Sequence, residues 1–234
     1  MAAVTGAVTA AAQWWVVAGV LAGGLVVGVL LSRRLVAAGY RLDDEQHRRV
    51  PGPAWTAAAA VAVLWGLLAW RIGGLAAGSV LPAYLLFSVV AVALFWIDLD
   101  VHRLPEGLTL PSFPAVLALL AVAAVTTGDW TALLRAVLCA IGLWLVYLVL
   151  ALISPGSLGL GDATLGGLVG LTLGFLDWRA PLVATAAAFV LGGAVSLVLL
   201  AARRVTRKTQ VAFGPYILLG ALTAVLVPLQ VPGG

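Results

Sequence analysis

The sequence predicts an all-α membrane protein, a polytopic bundle of about eight transmembrane helices forming a single domain over residues 1–234. Three observations carry that expectation. Hydrophobic residues make up 63% of the chain and charged ones only 9%, with a mean hydropathy of +1.15, where a soluble domain has about a quarter charged residues. The apolar residues gather into runs of about 20, the length that crosses a hydrocarbon core as a helix. The basic residues between those runs fall mostly on one side once the runs alternate in direction.

Apolar runs separated by charged or Gly/Pro stretches predict spans at about 7–31, 54–71, 75–97, 108–127, 132–153, 163–177, 181–202 and 211–230. The first lies in "MAAVTGAVTAAAQWWVVAGVLAGGLVVGVLL", which has no basic stretch ahead of it and is too long for a signal-peptide core, so it is expected to be retained. The third ends in "VVAVALFWID". The fifth, "LLRAVLCAIGLWLVYLVLALI", carries the lone cysteine, Cys139, which excludes an internal disulfide and any CxxC metal site and suits core packing. The sixth is short, and Gly166, Gly170 and Gly174 recur every four residues on one face. Small residues at that spacing let another helix approach closely, so this segment is expected at the centre of the bundle.

Net charge is +4, but the basic residues sit in short loops and no groove-reading helix is present, so no nucleic-acid partner is expected. The lipid bilayer is the expected partner. If the 32–53 loop is cytoplasmic, so are 98–107, 154–162 and 203–210, and both termini lie outside. Arg33, Arg34, Arg41, Arg48, Arg49, Arg103, Arg203, Arg204, Arg207 and Lys208 then lie inside, against Arg71, Arg135 and Arg179 outside, in keeping with the positive-inside rule. Trp14, Trp15, Trp70, Trp96, Trp130 and Trp178 fall near span ends and are expected to form aromatic belts.

Two acids stand out. Asp98 follows the third span directly, and Asp162 opens the sixth after "SLGLG". Both belong to the expected cytoplasmic edge, where an ionised acid is costly unless hydrated or paired. Taken singly, an Asp after Gly-x-Gly reads as a helix cap and Asp98 as an interfacial acid. Taken as a pair, two carboxyls in a partly dry site share a proton, so that one serves as base toward a water and the other as acid toward a peptide carbonyl and its leaving amine. Gly159 and Gly161 suit such a site, because glycine accepts positive φ and leaves room for a substrate backbone. If Asp162 caps the sixth helix, its carboxylate meets the first orphan N–H groups.

Three stretches resemble the type IV prepilin peptidases, GxGD-type aspartic peptidases of the membrane. "FWIDLDVHRLPEGLTLP", residues 95–111, resembles the family's first aspartate motif. "SLGLGDATLGGLVG", residues 157–170, has the form of its GxGD motif, and "AFGPYILLGAL", residues 212–222, is similar to the Phe-Gly-Pro-Tyr stretch that opens its last helix. The resemblance covers roughly residues 54–225. It implies that Asp98 and Asp162 are the catalytic aspartates and that the substrate is a prepilin or pseudopilin precursor. The short basic leader would be removed after a glycine, at the cytoplasmic face of the inner membrane. It implies no metal and no organic cofactor. The loop "SRRLVAAGYRLDDEQHRRVPGP" lacks the cysteine pairs that accompany N-methylation in many relatives, so peptidase activity without methylation is expected. Glu106 stands where an aspartate is common, and Thr164 where a lysine is usual.

His102 reads as a solvated loop residue, and Ser154 and Ser157 have no histidine partner on a fixed element. Asp43, Asp44 and Glu45 read as a hydrated loop among arginines. A sharper expectation is that this cluster and Glu106 attract the basic leader. The rival from another class is a small proton-coupled transporter using the same aspartates as a relay. Paired repeats with two broken helices would favour it, and neither is found.

Overall fold

The computed structural model describes residues 2–42, 45, 52–53, 55–72, 78–153, 158–202 and 212–226. Among them lie eight α-helices: α1 (Ala2–Val36), α2 (Trp55–Ile72), α3 (Leu81–Val101), α4 (Glu106–Thr127), α5 (Trp130–Ile153), α6 (Leu160–Leu176), α7 (Arg179–Ala201) and α8 (Gly214–Leu226). A 3-10 turn, Gly78–Val80, leads into α3. Continuous helix is the form these apolar stretches must take in lipid, where no water can satisfy free backbone groups. Six helices are long and apolar enough to cross a membrane, while α6 and the described part of α8 are shorter.

The described residues form two apolar cores that both draw on α2 and α3. One joins α1, α2 and α3 around Leu35, Val61, Trp96 and Ile97. The other, larger core joins α2 to α8 around Tyr84, Leu94, Leu120, Tyr147, Leu165 and Leu168. Three helix pairs pack most closely: α1 with α2, α5 with α6, and α7 with α8. In each, a glycine admits the neighbouring backbone. A Cβ on Gly28 would stand 2.7 Å from Ala58 Cα, and Cβ atoms on Gly170 and Gly220 would collide with the carbonyl oxygens of Cys139 and Ala184. The glycine face expected of the sixth helix therefore lies against α5. Cys139 is the core residue there, its Cβ 2.5 Å from where a Cβ on Gly174 would be.

α6 is buried along nearly its whole length, in keeping with a central position. At its far end the Tyr84 hydroxyl of α3 donates to the Thr172 carbonyl oxygen at 2.6 Å. This buried hydrogen bond, which water cannot replace, sets the register between the two helices that carry Asp98 and Asp162. The C-terminal carbonyls of α6 are covered by Arg135 of α5, whose Nε donates to Gly174 O at 2.7 Å and whose Nη2 donates to Leu176 O at 3.1 Å. A cation at a helix C-terminus also meets the favourable end of the helix dipole.

Two expectations need correction. Trp14, Trp15, Trp70, Trp130 and Trp178 are exposed, as belt residues must be, but Trp96 is buried between α3 and the α1/α2 pair. The reason is that α3 is interior, so a tryptophan near its end meets protein rather than headgroups. Helix ends also differ from the sequence reading. α3 continues to Val101, which places Asp98 within the helix rather than after it.

Candidate active site

The end of α3 is shaped by its cap. His102 adopts a left-handed conformation (φ 55°) and its backbone N–H donates to Asp98 O at 3.0 Å, closing the last turn. Chain direction reverses through His102–Pro105 into α4. His102 is exposed, as a solvated loop residue should be. Asp98 and Asp100, two residues apart, project about 200° apart around the helix axis. Asp98 turns toward α6 and α8, and Asp100 toward the segment after α1.

On the other side, α6 begins at Leu160, three residues before the expected start at 163. Gly159 is the N-cap residue and Asp162 occupies the third helical position. Asp162 is therefore not itself the cap. Its Oδ2 reaches back and accepts the Gly159 N–H at 2.8 Å, satisfying one donor that the helix start leaves free. The glycines also act differently from the expectation of positive φ. Gly159 has φ −102°, and Gly161 is helical. What Gly161 supplies is room, since a Cβ there would stand 3.0 Å from Leu104 Cβ.

Asp98 and Asp162 are both buried, with 4% and 9% exposure, and lie within electrostatic reach of each other. Leu104 packs beside both, touching Gly161 of α6 and Gly214 of α8. Gly214 stands directly against Asp98, and its backbone N–H interacts with the Asp98 carboxyl. Even so, Asp98 Oδ2 makes no hydrogen bond among the described residues. A buried carboxyl oxygen without a partner is rare and costly, and commonly marks a group kept available for chemistry.

The α8 side of the pocket is held by an aromatic group. Phe213, just before Gly214, packs on Phe189 of α7 with ring centroids 5.1 Å apart, and Phe189 stacks on Tyr147 of α5 at 6.2 Å. Tyr147 in turn covers Gly166, one turn beyond Asp162. These contacts tie the start of α8 to the helix pair that carries Asp162.

Behind Asp98 lies a second polar cluster. Arg41 makes a two-pronged ion pair with Asp100, Nε to Oδ2 at 2.7 Å and Nη2 to Oδ1 at 2.9 Å, and the Tyr40 hydroxyl donates to Oδ2 at 2.6 Å. The Arg41 and Asp100 side chains are 5% and 1% exposed. Burial and the hydrogen bond to Asp100 push the Tyr40 hydroxyl up to about 12, so it is a donor at neutral pH. Arg103 donates to Tyr40 O and to Glu45 Oε2. The sequence reading treated Arg41 only as an orientation charge. The spacing of Asp98 and Asp100 was the available signal, since two acids on opposite sides of one buried helix end need two separate environments.

Glu106 is the exposed first residue of α4. Glu45 pairs with Arg103, and Asp43 and Asp44 lie outside the described residues. Thr164 donates its hydroxyl to Leu160 O within its own helix. Among the described residues no group of three or more His, Cys, Asp or Glu side chains converges as metal ligands would. Two buried carboxyls within electrostatic reach at one end of the bundle are the kind of pair that suits general acid and base work on a water.

The type IV leader peptidase family model matches residues 84–197, a stretch that contains both aspartates. No curated protein and no solved structure matches the chain.

Proposed function

Residues 84–197 belong to the type IV leader peptidase family, and from that premise we propose that Asp98 and Asp162 form the catalytic dyad of a membrane aspartic endopeptidase. The observation that carries this reading is the burial of the two carboxyls together at one end of the bundle. In the reaction, the ionised carboxyl takes a proton from water as its oxygen attacks the scissile carbonyl carbon. The protonated carboxyl gives its proton to the carbonyl oxygen. Collapse of the tetrahedral intermediate breaks the C–N bond as the carboxyl that took the water's proton gives it to the leaving amine. The other carboxyl regains a proton from the diol hydroxyl, and the dyad returns to its shared-proton state. Aspartate chemistry of this kind uses water alone as co-reactant.

The substrate in this reading is a prepilin or pseudopilin precursor whose short basic leader is removed after a glycine, ahead of an apolar helix. The dyad faces the cytoplasm and both termini lie outside. This orientation is supported by the ten-to-three distribution of Lys and Arg. The absence of cysteine from the 32–53 loop supports cleavage without N-methylation. The test is co-expression with a precursor carrying a basic leader, a glycine and an apolar helix, comparing wild type with Asp98→Asn and Asp162→Asn at matched membrane levels. Leader removal by wild type and its loss in both variants is the expected result. Cleavage that survives either substitution overturns the dyad.

A further inference from the structure

The Asp98 carboxyl itself is met by the backbone N–H of Gly214. Its Oδ2 has no hydrogen-bond partner among the described residues. Its direction also depends on the rotation of the last turn of α3 about the helix axis, which sets where the carboxyl meets Gly214. That turn ends in a left-handed cap at His102, whose N–H closes onto the Asp98 carbonyl and leaves the side-chain azimuth to be set by what grips the turn from outside.

We propose that Arg41, Tyr40 and Asp100 form a positioning device for Asp98, in which the segment after α1 grips the opposite side of the same helical turn. Three donor contacts converge on one carboxylate that is 1% exposed. The two-pronged guanidinium contact fixes a plane as well as a distance, which a single hydrogen bond cannot do. With Asp98 and Asp100 about 200° apart, holding Asp100 sets the azimuth of Asp98. The same segment grips the far side of His102, because Arg103 donates to Tyr40 O and Glu45 Oε2. The turn between these two grips leads into Leu104, which packs against both Gly161 and Gly214. One short segment thereby controls the facing of Asp98 and the spacer between α6 and α8. A buried ion pair is seldom retained for stability alone, since apolar packing of equal volume serves as well, and fixing a register is its best-supported use.

The importance of this device for turnover rests on the peptidase reading, so the test has one arm that depends on cleavage and one that does not. In proteoliposomes with a leader-bearing precursor, Arg41→Ala and Asp100→Asn should lower kcat by about 10- to 100-fold with KM nearly unchanged, because misaiming of the order of 1 Å slows chemistry more than binding. Arg41→Lys, which keeps charge but not the fork, should recover only part of the rate. An unchanged kcat per folded enzyme, with only thermal stability reduced, would overturn the proposal. In the second arm, the triple substitution Asp98→Cys, Gly214→Cys and Cys139→Ala reports the facing of position 98 by disulfide formation. Adding Arg41→Ala should slow that crosslink by about fivefold or more, since a disulfide tolerates little displacement. Crosslinking at the same rate overturns the device whether or not any precursor is cut. Arg41-dependent crosslinking in a protein whose wild type cuts no leader supports the device and counts against the peptidase reading alone.

Discussion

Gly214 leaves no space for a side chain beside Asp98: a Cβ built on it would stand 2.5 Å from Asp98 Oδ2 and 3.2 Å from Cγ. The glycine is thus demanded by contact. Gly214→Ala should cut leader removal by about 100-fold by turning the carboxyl away from Asp162. Membrane levels should stay near normal, because alanine is the better helix former. Wild-type rates in this variant would show that the contact is irrelevant to the reaction.

The shared-proton mechanism makes a pH prediction of its own. At low pH both carboxyls are protonated and no base remains. At high pH both are ionised and no acid remains. Cleavage rate should therefore rise and then fall, and a rate that stays flat across the acid range would exclude a carboxyl base.

Asp129 offers a pH test of stability away from the site. It accepts hydrogen bonds from Thr131 Oγ1 at 2.6 Å and from the Ala132 N–H at 2.9 Å at the start of α5, and these hold its carboxyl below the usual range. A depressed folded-state value means that the stabilisation is complete above the unfolded value and is lost as pH falls through the folded one. Asp129→Ala should lower stability by about 1 kcal/mol at neutral pH. Thermal melts of the two proteins should converge on acidification, and a gap that widens would contradict the sign.

Arg135→Ala should destabilise the protein by about 2 kcal/mol, because it strips a charged donor from the carbonyls that end α6. Arg135→Lys should lie between, since an ammonium cannot span Gly174 O and Leu176 O as the guanidinium does. Denaturation in detergent micelles measures both, and equal stability of Ala and Lys variants would remove the capping role.

A pair of glycines tests the α5/α6 contact. Gly170→Ala puts a methyl onto the Cys139 carbonyl, while Gly142 on α5 has nothing within 4 Å. The first should cost about 1–3 kcal/mol. The second should gain about 0.5–1 kcal/mol by removing helical glycine entropy. If both shift stability in the same direction, the close approach of α5 and α6 is not what Gly170 serves.

The helices and their order were legible along the chain, as were the two acids at one membrane edge, Asp98 and Asp162, and the glycine row of α6. Each of these is a local property. A helix in lipid must satisfy its own backbone, so a run of apolar residues declares itself without reference to any neighbour. The facing of each helix was not legible in that way. In water an apolar stripe shows which side is buried, but here residues such as Val125, Leu152 and Val190 are apolar and exposed, because lipid is as good a solvent for them as the core. Periodicity therefore says nothing of azimuth, and Trp96 was misjudged for that reason. The placing of Leu104 beside both Gly161 and Gly214, the closeness of Gly214 to Asp98 and the grip of Arg41 on Asp100 all join residues far apart in the chain. They depend on how helices rotate and pack against one another, which only assembly of the bundle fixes.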